Sequence, residues 1–476
     1  MIDFGAASPT VWRAVRRRPE NRRGSGPPAC VGGATRLVPR TLLSAATAAL
    51  LAVVPAAGET LRLSVREAVA RALSEGTAAR IAYEAVETSS AQAKQARSAL
   101  LPQVIGEVQD SNEILNLKTF GLTLPGVPSL VGPFNVFDAH VTVAARIIDL
   151  AAYRRYQAAR QGIAVAGAEK EKTENDVAAA VATLYVALQR AQADVDATQA
   201  NVDLFTKLRD LAEDQRKAGV ATRLDSTRAE VALSRQNQAL LVQANRRDAA
   251  RLALLHAIGA DQELAVELTD ALEEAAPPIA PARDEVSVAL AQRPELKALD
   301  EQIRAADLTI AARSAERLPS LVAQFQGGYN GNHLGDLDWN RVVGAGVSVP
   351  VFTGGRIPAE IAEEKSRRRE LALQRTETER QVEEDVRRAL LSVQNAVHRV
   401  EVARDNVRLA NDELEFARDR FANGVSSSIE VDNAQTSYAT ARADRISALA
   451  DQAQARFDLA RATGRIRDLI ETKETR

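Results

Sequence analysis

The chain has very few of the residues that usually carry metal, disulfide or nucleophilic chemistry. Cys30 is its only cysteine, so an intrachain disulfide is excluded. The four histidines are scattered and form no zinc-binding spacing with one another or with Cys30. No Gly-x-x-x-x-Gly-Lys-Ser/Thr motif is present to bind a nucleotide. These absences predict a protein without metal or cofactor and argue against an enzyme.

Long apolar runs are also missing from the body of the chain. No stretch after residue 60 reaches the roughly eighteen consecutive apolar residues that mark a membrane-spanning helix. A shorter apolar segment, residues 42–54, follows Arg36 and Arg40 and precedes a group of small residues. This pattern predicts a leader and secretory signal peptide over residues 1–58.

An excess of positive charge is absent from the part that follows the leader. The full chain has 61 Lys and Arg against 63 Asp and Glu, and residues 1–57 hold eight Arg and two acidic residues. The remainder therefore has 53 basic and 61 acidic residues, a net charge of −8. A mildly acidic body argues against nucleic acid as a partner.

Glycine and proline do not interrupt residues 382–421, and the rest of the chain is organised around this stretch. Apolar residues recur in it at every seventh position, in one row of mainly large side chains and one row of mainly small ones. The rows are Val386, Val393, Val400, Val407, Leu414 and Phe421, and Val382, Ala389, Ala396, Ala403, Ala410 and Ala417. Because two such rows are typical of a coiled-coil seam, we expect a long helix that packs against partner helices.

The heptad segment occurs twice, since residues 177–212 repeat its pattern 205 positions earlier. Each copy leads into a Gly-Val turn. Gly219-Val220 lies in the first turn, residues 217–222, and Gly424-Val425 lies in the second, residues 422–427. Glycine at such a position commonly ends a helix.

A helix-start signature stands behind each turn. Thr222 precedes Asp225 by three residues, and Ser427 precedes Glu430 by the same spacing. This spacing is that of a capping box, so a second helix is expected after each turn. The chain is therefore predicted to contain a duplicated helical hairpin.

The hydrophobic period changes to two in the segments between the predicted helices. Residues 103–110 and 321–330 follow Leu-Pro pairs, and after a loop each is followed by a clearer strand, residues 137–147 and 343–351. Their length of about ten residues suits tilted membrane-spanning strands. A two-sided soluble sheet has the same alternation, but the predicted signal peptide favours the membrane.

Each half of the chain is thus predicted to contain a helix, two strands and a long helical hairpin. The expected divisions are a leader at 1–58, a first repeat at 59–262, a linker or equatorial segment at 263–283, a second repeat at 284–464 and a tail at 465–476. The predicted fold class is mainly α with a β membrane-barrel portion.

This architecture resembles the TolC family of outer-membrane efflux channels over nearly the whole chain after the leader. Residues 350–356 are similar to the strand-to-helix junction of that family, and residues 421–434 are similar to its periplasmic turn. Residues 147–150 occupy the junction in the first half and lack the glycine pair. The resemblance implies a trimer with a twelve-stranded β-barrel and an α-barrel that crosses the periplasm. Such a trimer is a passive exit duct of a tripartite efflux or type I secretion system.

The resemblance also implies partners for the chain. They are two further copies of it, a periplasmic adaptor, an inner-membrane pump that supplies the energy, and outer-membrane lipid. Drug efflux, metal efflux and protein secretion all use such ducts, so the cargo stays open. The alternative is a periplasmic coiled-coil adaptor or structural protein. An adaptor would have one hairpin between soluble β domains, and the duplicated strand pairs argue against it.

The resemblance places candidate functional residues at the two turns. Glu430 matches an acidic residue that rings the closed periplasmic mouth in the family. Asp432 lies beside a second acidic position, which is Asn433 here. Asp225 matches an acid that locks the mouth through a tyrosine, and the tyrosine position is Phe421 here.

A simpler alternative exists for two of these acids, because Asp225 and Glu430 can also serve only as helix caps. The turn residues have a separate expected role at the far periplasmic tip, where they dock an adaptor. These docking residues are Gly219, Val220, Gly424 and Val425.

Overall fold

The computed structural model describes residues 60–122, 125–274, 281–423, 425–426 and 428–471. The predicted leader, Cys30, Gly424 and Ser427 lie outside the described residues. The elements in chain order are β1 (Thr60–Leu63), α1 (Val65–Glu75), α2 (Thr77–Ser98), β2 (Gln103–Asn116), β3 (Leu130–Ile148), α3 (Leu150–Lys217), α4 (Arg223–Ala257), β4 (Ala265–Leu268), α5 (Ala282–Gln292), α6 (Pro294–Ala315), β5 (Ser320–Gly331), β6 (Leu337–Ser348), α7 (Arg356–Ala422), α8 (Ser428–Ala462) and α9 (Ile466–Glu471).

Two helices are far longer than the rest of the described ones and confirm the predicted duplicated hairpin. α3 has 68 residues and α7 has 67 residues, so each is about 100 Å long at a rise of about 1.5 Å per residue. Each is followed by a helix of 35 residues, α4 after α3 and α8 after α7. No described helix combines the length and apolarity that crossing a bilayer requires.

The heptad rows of α7 form the predicted seam. Val382, Val386 and Val393 are completely buried, and Ala396 and Ala417 of the small row are buried as well. The seam packs chiefly against α8. Near the turn, for example, Leu414 and Ala417 contact Val431 and Ala434 in one cluster, which Phe421 and Tyr438 border.

The single helix predicted before each strand pair is in fact divided into two helices. The first break is at Gly76, between α1 and α2, and the second is at Arg293, between α5 and α6. Gly76 is extended, and Pro294 opens α6, where proline's missing N–H does not cost a helical hydrogen bond. Arg293 is buried, and its guanidinium donates to the carbonyl of Ala462 at the end of α8.

A small parallel sheet joins the start of the first repeat to the linker. β1 pairs with β4, which lies in the predicted linker of residues 263–283. The Tyr185 hydroxyl of α3 donates to the carbonyl of Leu63 at 3.0 Å and accepts from the backbone N–H of Asp270 at 3.3 Å. Burial raises the pKa of Tyr185. The linker is therefore an ordered belt where the structure describes it.

The other four strands form one antiparallel sheet in the order β2-β3-β5-β6. β3 and β5 pair with each other and so connect the two repeats. In the described part of the chain, β2 and β6 have no second neighbour, so the sheet has two open edges. The adjoining helices α2, α3, α6 and α7 attach at one end of this sheet, and the connections from β2 to β3 and from β5 to β6 lie at the other.

The pairing register divides the sheet into an apolar and a polar face. The apolar face includes Val104, Val108, Val141, Val143, Phe325, Val343 and Val347, and the polar face includes Glu107, Gln109, Asp138, His140, Gln324 and Gln326. The alternation predicted for residues 137–147 is confirmed. The prediction that β6 extends to Val351 was wrong, because the strand ends at Ser348. Pro350 lacks the N–H that a further ladder bond needs.

Candidate functional site at the two hairpin turns

The first turn is a Schellman motif built around one glycine. The N–H of Val220 donates to the carbonyl of Gln215 at 3.0 Å, and the N–H of Gly219 donates to that of Arg216 at 3.1 Å. Gly219 has a φ of 76°, a left-handed conformation that favours glycine. The motif ends α3 and points Val220 into solvent, where it is 77% exposed.

The predicted capping box at the start of α4 is present. The Thr222 hydroxyl and N–H both donate to the Asp225 carboxylate, at 2.6 and 3.0 Å, and the Asp225 N–H donates back to the hydroxyl at 3.3 Å. The Thr222 hydrogen bonds lower the pKa of Asp225. Arg228 lies one helical turn further on, with 4.0 Å between its Nη1 and the Asp225 carboxylate.

The second turn ends α7 with the same kind of hydrogen bond. The N–H of Val425 donates to the carbonyl of Arg420 at 2.9 Å, as Val220 does to Gln215 in the first turn. Val425 is 68% exposed. The predicted cap at Ser427 and the conformation of Gly424 lie outside the described residues.

Glu430 lies in the first turn of α8 and pairs with a residue of the preceding helix. Its carboxylate is 3.2 Å from the guanidinium of Arg420, and both side chains are about half exposed, at 42% and 56%. Arg420 was not predicted from the sequence. The two residues lie ten positions apart across the turn, so no helical periodicity marks the pair.

The two turns lie side by side and form a cavity of about 280 Å³ that is partly open to solvent. Three of the four predicted gate residues line it: Asp225 from the first hairpin and Phe421 and Asp432 from the second. Glu430 does not belong to its lining. The structure thus brings Asp225, Phe421 and Asp432 together and places Glu430 apart from them, beside Arg420.

Asp432, which was predicted to lie at the gate, is a partly buried acid in the structure. Burial raises the pKa of Asp432. No described residue forms an ion pair or hydrogen bond with its carboxylate, although Arg228 lines the same cavity. Arg228 was also missed, and here a sequence signal existed. It follows Asp225 by three residues, the spacing of neighbours on one helix face.

Apolar side chains are exposed at corresponding positions of both tips. Val220 and Leu224 in the first turn correspond to Val425 and Ile429 in the second, each pair 205 residues apart. Their exposed fractions are 77% and 57%, and 68% and 51%. Apolar groups that protrude in pairs at the end of a hairpin are typical of a contact surface for a partner.

Among the described residues, no group of three or more His, Cys, Asp or Glu side chains is placed to hold a metal ion.

The two repeats of the chain each match a family of known proteins. The sequence matches the model of the outer membrane efflux protein family over residues 69–260 and 286–465. These two segments make up more than half of the chain, and they leave out the whole linker of residues 263–283.

Solved structures share the fold at low sequence identity. The outer membrane protein VceC of Vibrio cholerae superposes with a TM-score of 0.71 at 18% identity, covering 84% of this chain and 96% of that one. The CmeC outer membrane channel of Campylobacter jejuni gives 0.72 at 18%, covering 84% and 86%. The open state of the MtrE outer membrane channel of Neisseria gonorrhoeae gives 0.69 at 20%, covering 84% and 89%.

Proposed function

The chain belongs to the outer membrane efflux protein family, and from that premise we propose that three copies form the exit duct of a tripartite export system. As a member of this family it is an outer-membrane efflux channel with a long periplasmic extension, a passive conduit and not an enzyme. The proposal adds the trimer, its contacts with an adaptor and a pump, and the gate at the hairpin turns.

The observation that carries the trimer is the open four-stranded sheet. β2 and β6 are its two edges in the described chain. An unpaired strand edge is not tolerated in lipid, and four strands are too few to close a barrel. Three copies joined edge to edge give three times four, or twelve, strands. The apolar face would then meet lipid, and the polar face would line the lumen.

The long helices supply the periplasmic part of the duct. α3 and α7 extend from the end of the sheet opposite its short loops, and α4 and α8 run back beside them from the hairpin turns. On α7, Val402, Leu409 and Phe416 recur every seventh residue and are 56% to 68% exposed in the single chain. A neighbouring copy that packs on this row would bury it.

In this proposal, residues 59–262 and 284–464 act as the two repeats, and residues 263–283 act as the belt between them.

The turns are proposed as both the gate and the adaptor-docking tip. Exposed Val220 and Val425 fit docking, and Gly219 allows the first turn to be tight. Gly424 has the matching role in the second turn by its sequence position. For the gate, Glu430 with Arg420 controls the charge at the mouth, while Asp225 of the first hairpin lines one cavity with Phe421 and Asp432 of the second.

The proposal is tested by the mass and conductance of the full chain extracted from outer membranes in detergent. We expect a particle with the mass of three copies, and ion-conducting pores after its insertion into planar bilayers. A stable water-soluble monomer after signal cleavage contradicts the duct and favours the coiled-coil adaptor or structural protein.

A further inference from the structure

The cavity between the hairpin turns has the lining of a small-molecule site. Apolar side chains from both hairpins cover most of it, among them Leu208, Leu211, Phe421 and Val431. Its volume is about 280 Å³ and it is partly open to solvent, whereas an enclosed apolar cavity of about 150 Å³ already binds benzene. The space therefore fits a compact aromatic or branched aliphatic group with a short substituent.

The charges around this apolar space do not balance. Asp225 and Asp432 contribute two carboxylates, and Arg228 contributes one guanidinium. Asp225 is occupied by the Thr222 cap and lies 4.0 Å from Arg228. Asp432 has no cation among the described residues. The lining thus lacks one positive charge next to Asp432.

We propose that this cavity binds a small organic monocation, an amine with a compact apolar body, whose ammonium group meets the Asp432 carboxylate. The apolar body replaces water against Leu208, Leu211 and Phe421, which gains free energy in proportion to the apolar area buried. The ammonium supplies the missing charge, because a partly buried carboxylate gains most from a partner that both donates hydrogen bonds and carries charge. The raised pKa of Asp432 agrees with a carboxylate that lacks such a partner.

Other ligand classes fit the cavity less well. A bare metal ion requires several oxygen or nitrogen ligands, and the described residues offer no such group here. An anion could pair with Arg228, but the carboxylates of Asp225 and Asp432 in the same lining would repel it. A neutral apolar molecule would fill the space but leave Asp432 without a partner.

An occupant of this site would join the two hairpins. Its apolar body touches side chains that precede the first turn and side chains that flank the second, so separating the hairpins would expose it. Bound amine should therefore stabilise the arrangement with the two tips in contact. This consequence for the gate rests on the proposed function, whereas the binding itself does not.

The binding test uses 2-phenylethylamine as the probe and the purified full chain in detergent, measured by isothermal titration calorimetry. We expect saturable binding of one amine per chain and about tenfold weaker binding to Asp432→Asn, the size expected when a charge-assisted hydrogen bond is lost. The matched control is Asp444→Asn, the same substitution at an exposed position of α8. It should bind like the parent.

Two further measurements separate a specific site from general apolar binding. The neutral analogue 2-phenylethanol should bind at least about tenfold more weakly than the amine. Ala229→Phe, which places a ring in the cavity lining, should abolish binding while the particle mass is unchanged. Absence of amine binding, equal binding to Asp432→Asn, or equal binding of the alcohol overturns the proposal. Because particle mass and conductance are measured separately, a failure of the duct is distinguishable from a failure of the site.

Discussion

Arg420 and Glu430 form an ion pair across the second hairpin turn, with 3.2 Å between Nη1 of Arg420 and Oε1 of Glu430. The pair joins the last turn of α7 to the first turn of α8. Because both side chains are about half exposed, the pair contributes no more than about 1 kcal/mol to stability. The pair matters more for the charge at the mouth than for stability. Arg420 neutralises the carboxylate of Glu430, which the family resemblance assigns to a ring of acidic residues.

Removing either partner should change ion selectivity in opposite directions. Glu430→Gln leaves three unpaired Arg420 side chains in the trimer, so cation selectivity and block by divalent ions should both fall. Arg420→Gln leaves three unpaired carboxylates, so both should rise. Like charges near a threefold axis repel one another and attract counterions, and salt weakens the effect. Planar-bilayer reversal potentials under a salt gradient measure the change.

The control for this pair is Arg387→Gln, which breaks a similar exposed ion pair with Glu383 on α7. Arg387 lies about nine helical turns from Arg420, or about 50 Å along α7 at about 1.5 Å per residue. It should leave selectivity unchanged. If Glu430→Gln matches the parent in both selectivity and divalent block, Glu430 does not line the mouth and the capping role remains.

Asp225→Asn should weaken the first turn mainly above acidic pH. The folded-state pKa of Asp225 is lowered from 3.8 by the Thr222 hydrogen bonds, so the carboxylate's contribution is fully present above that ordinary value. It is lost as the pH falls through the folded-state pKa. We expect a cost of about 1 kcal/mol at neutral pH, and the gap between variant and parent should close below about pH 4.

Thermal unfolding of the two proteins across this pH range measures the gap. A gap that stays constant with pH would mean that the charge of Asp225 does not matter to the cap. In bilayers, the same variant should raise the frequency of opening and leave selectivity closer to the parent than Glu430→Gln does. The reason is that Asp225 faces the other hairpin and is engaged by Thr222 and Arg228.

Sequence reasoning succeeded where the deciding contacts are local. The Thr222–Asp225 box and the Gly219 turn depend on residues within a few positions, and the heptad rows fix the buried side of α7 without knowledge of its partner. The pairing of β1 with β4 joins segments 205 residues apart by backbone hydrogen bonds, which leave little side-chain signal. The separation of Glu430 from Asp432 likewise depends on how two hairpins meet, which neither turn encodes alone.

Tyr185→Phe should loosen the belt from α3. The substitution keeps the buried ring but removes the hydroxyl that donates to Leu63 and accepts from Asp270. The partly buried Asp270 N–H then loses this partner, while the Leu63 carbonyl keeps the Thr269 N–H, so we expect a cost of about 1–3 kcal/mol. Hydrogen exchange of β1 and β4 amides should accelerate together. Tyr83→Phe is the control, because Tyr83 is 53% exposed. Equal exchange in both variants contradicts the belt contact.

Gln435→Leu should stabilise the second hairpin. Gln435 is 1% exposed, and neither its amide nitrogen nor its amide oxygen has a hydrogen-bond partner among the described residues. An apolar side chain of similar size removes a desolvation cost of about 1–3 kcal/mol. Gln435→Glu should act in the opposite direction, because it buries a charge. Thermal unfolding decides the sign, and a lower unfolding temperature for Gln435→Leu would mean that the amide is satisfied by water.

Val343 and Gly344 offer the sharpest test of which sheet face meets lipid. They are neighbours in β6, near the middle of a strand that runs from Leu337 to Ser348. The register puts Val343 opposite Phe325 on the apolar face and Gly344 opposite Gln324 on the polar face. Val343→Arg should therefore place a charge in the bilayer, at a cost of about 2–4 kcal/mol per chain at the midplane.

Gly344→Arg is the matched variant, with the same new side chain one residue away. A Cβ added at Gly344 meets nothing within 4 Å, so the backbone accepts a side chain there. That side chain would extend into a water-filled lumen, where the charge stays hydrated, and it should alter conductance but not assembly. Outer-membrane fractionation and the yield of trimer in detergent compare the two variants. Because strand propensity and expression context are nearly the same, a loss of trimer with Val343→Arg alone assigns lipid to the apolar face. A loss with Gly344→Arg alone reverses the two faces, and equal yields for both variants mean that neither face meets lipid.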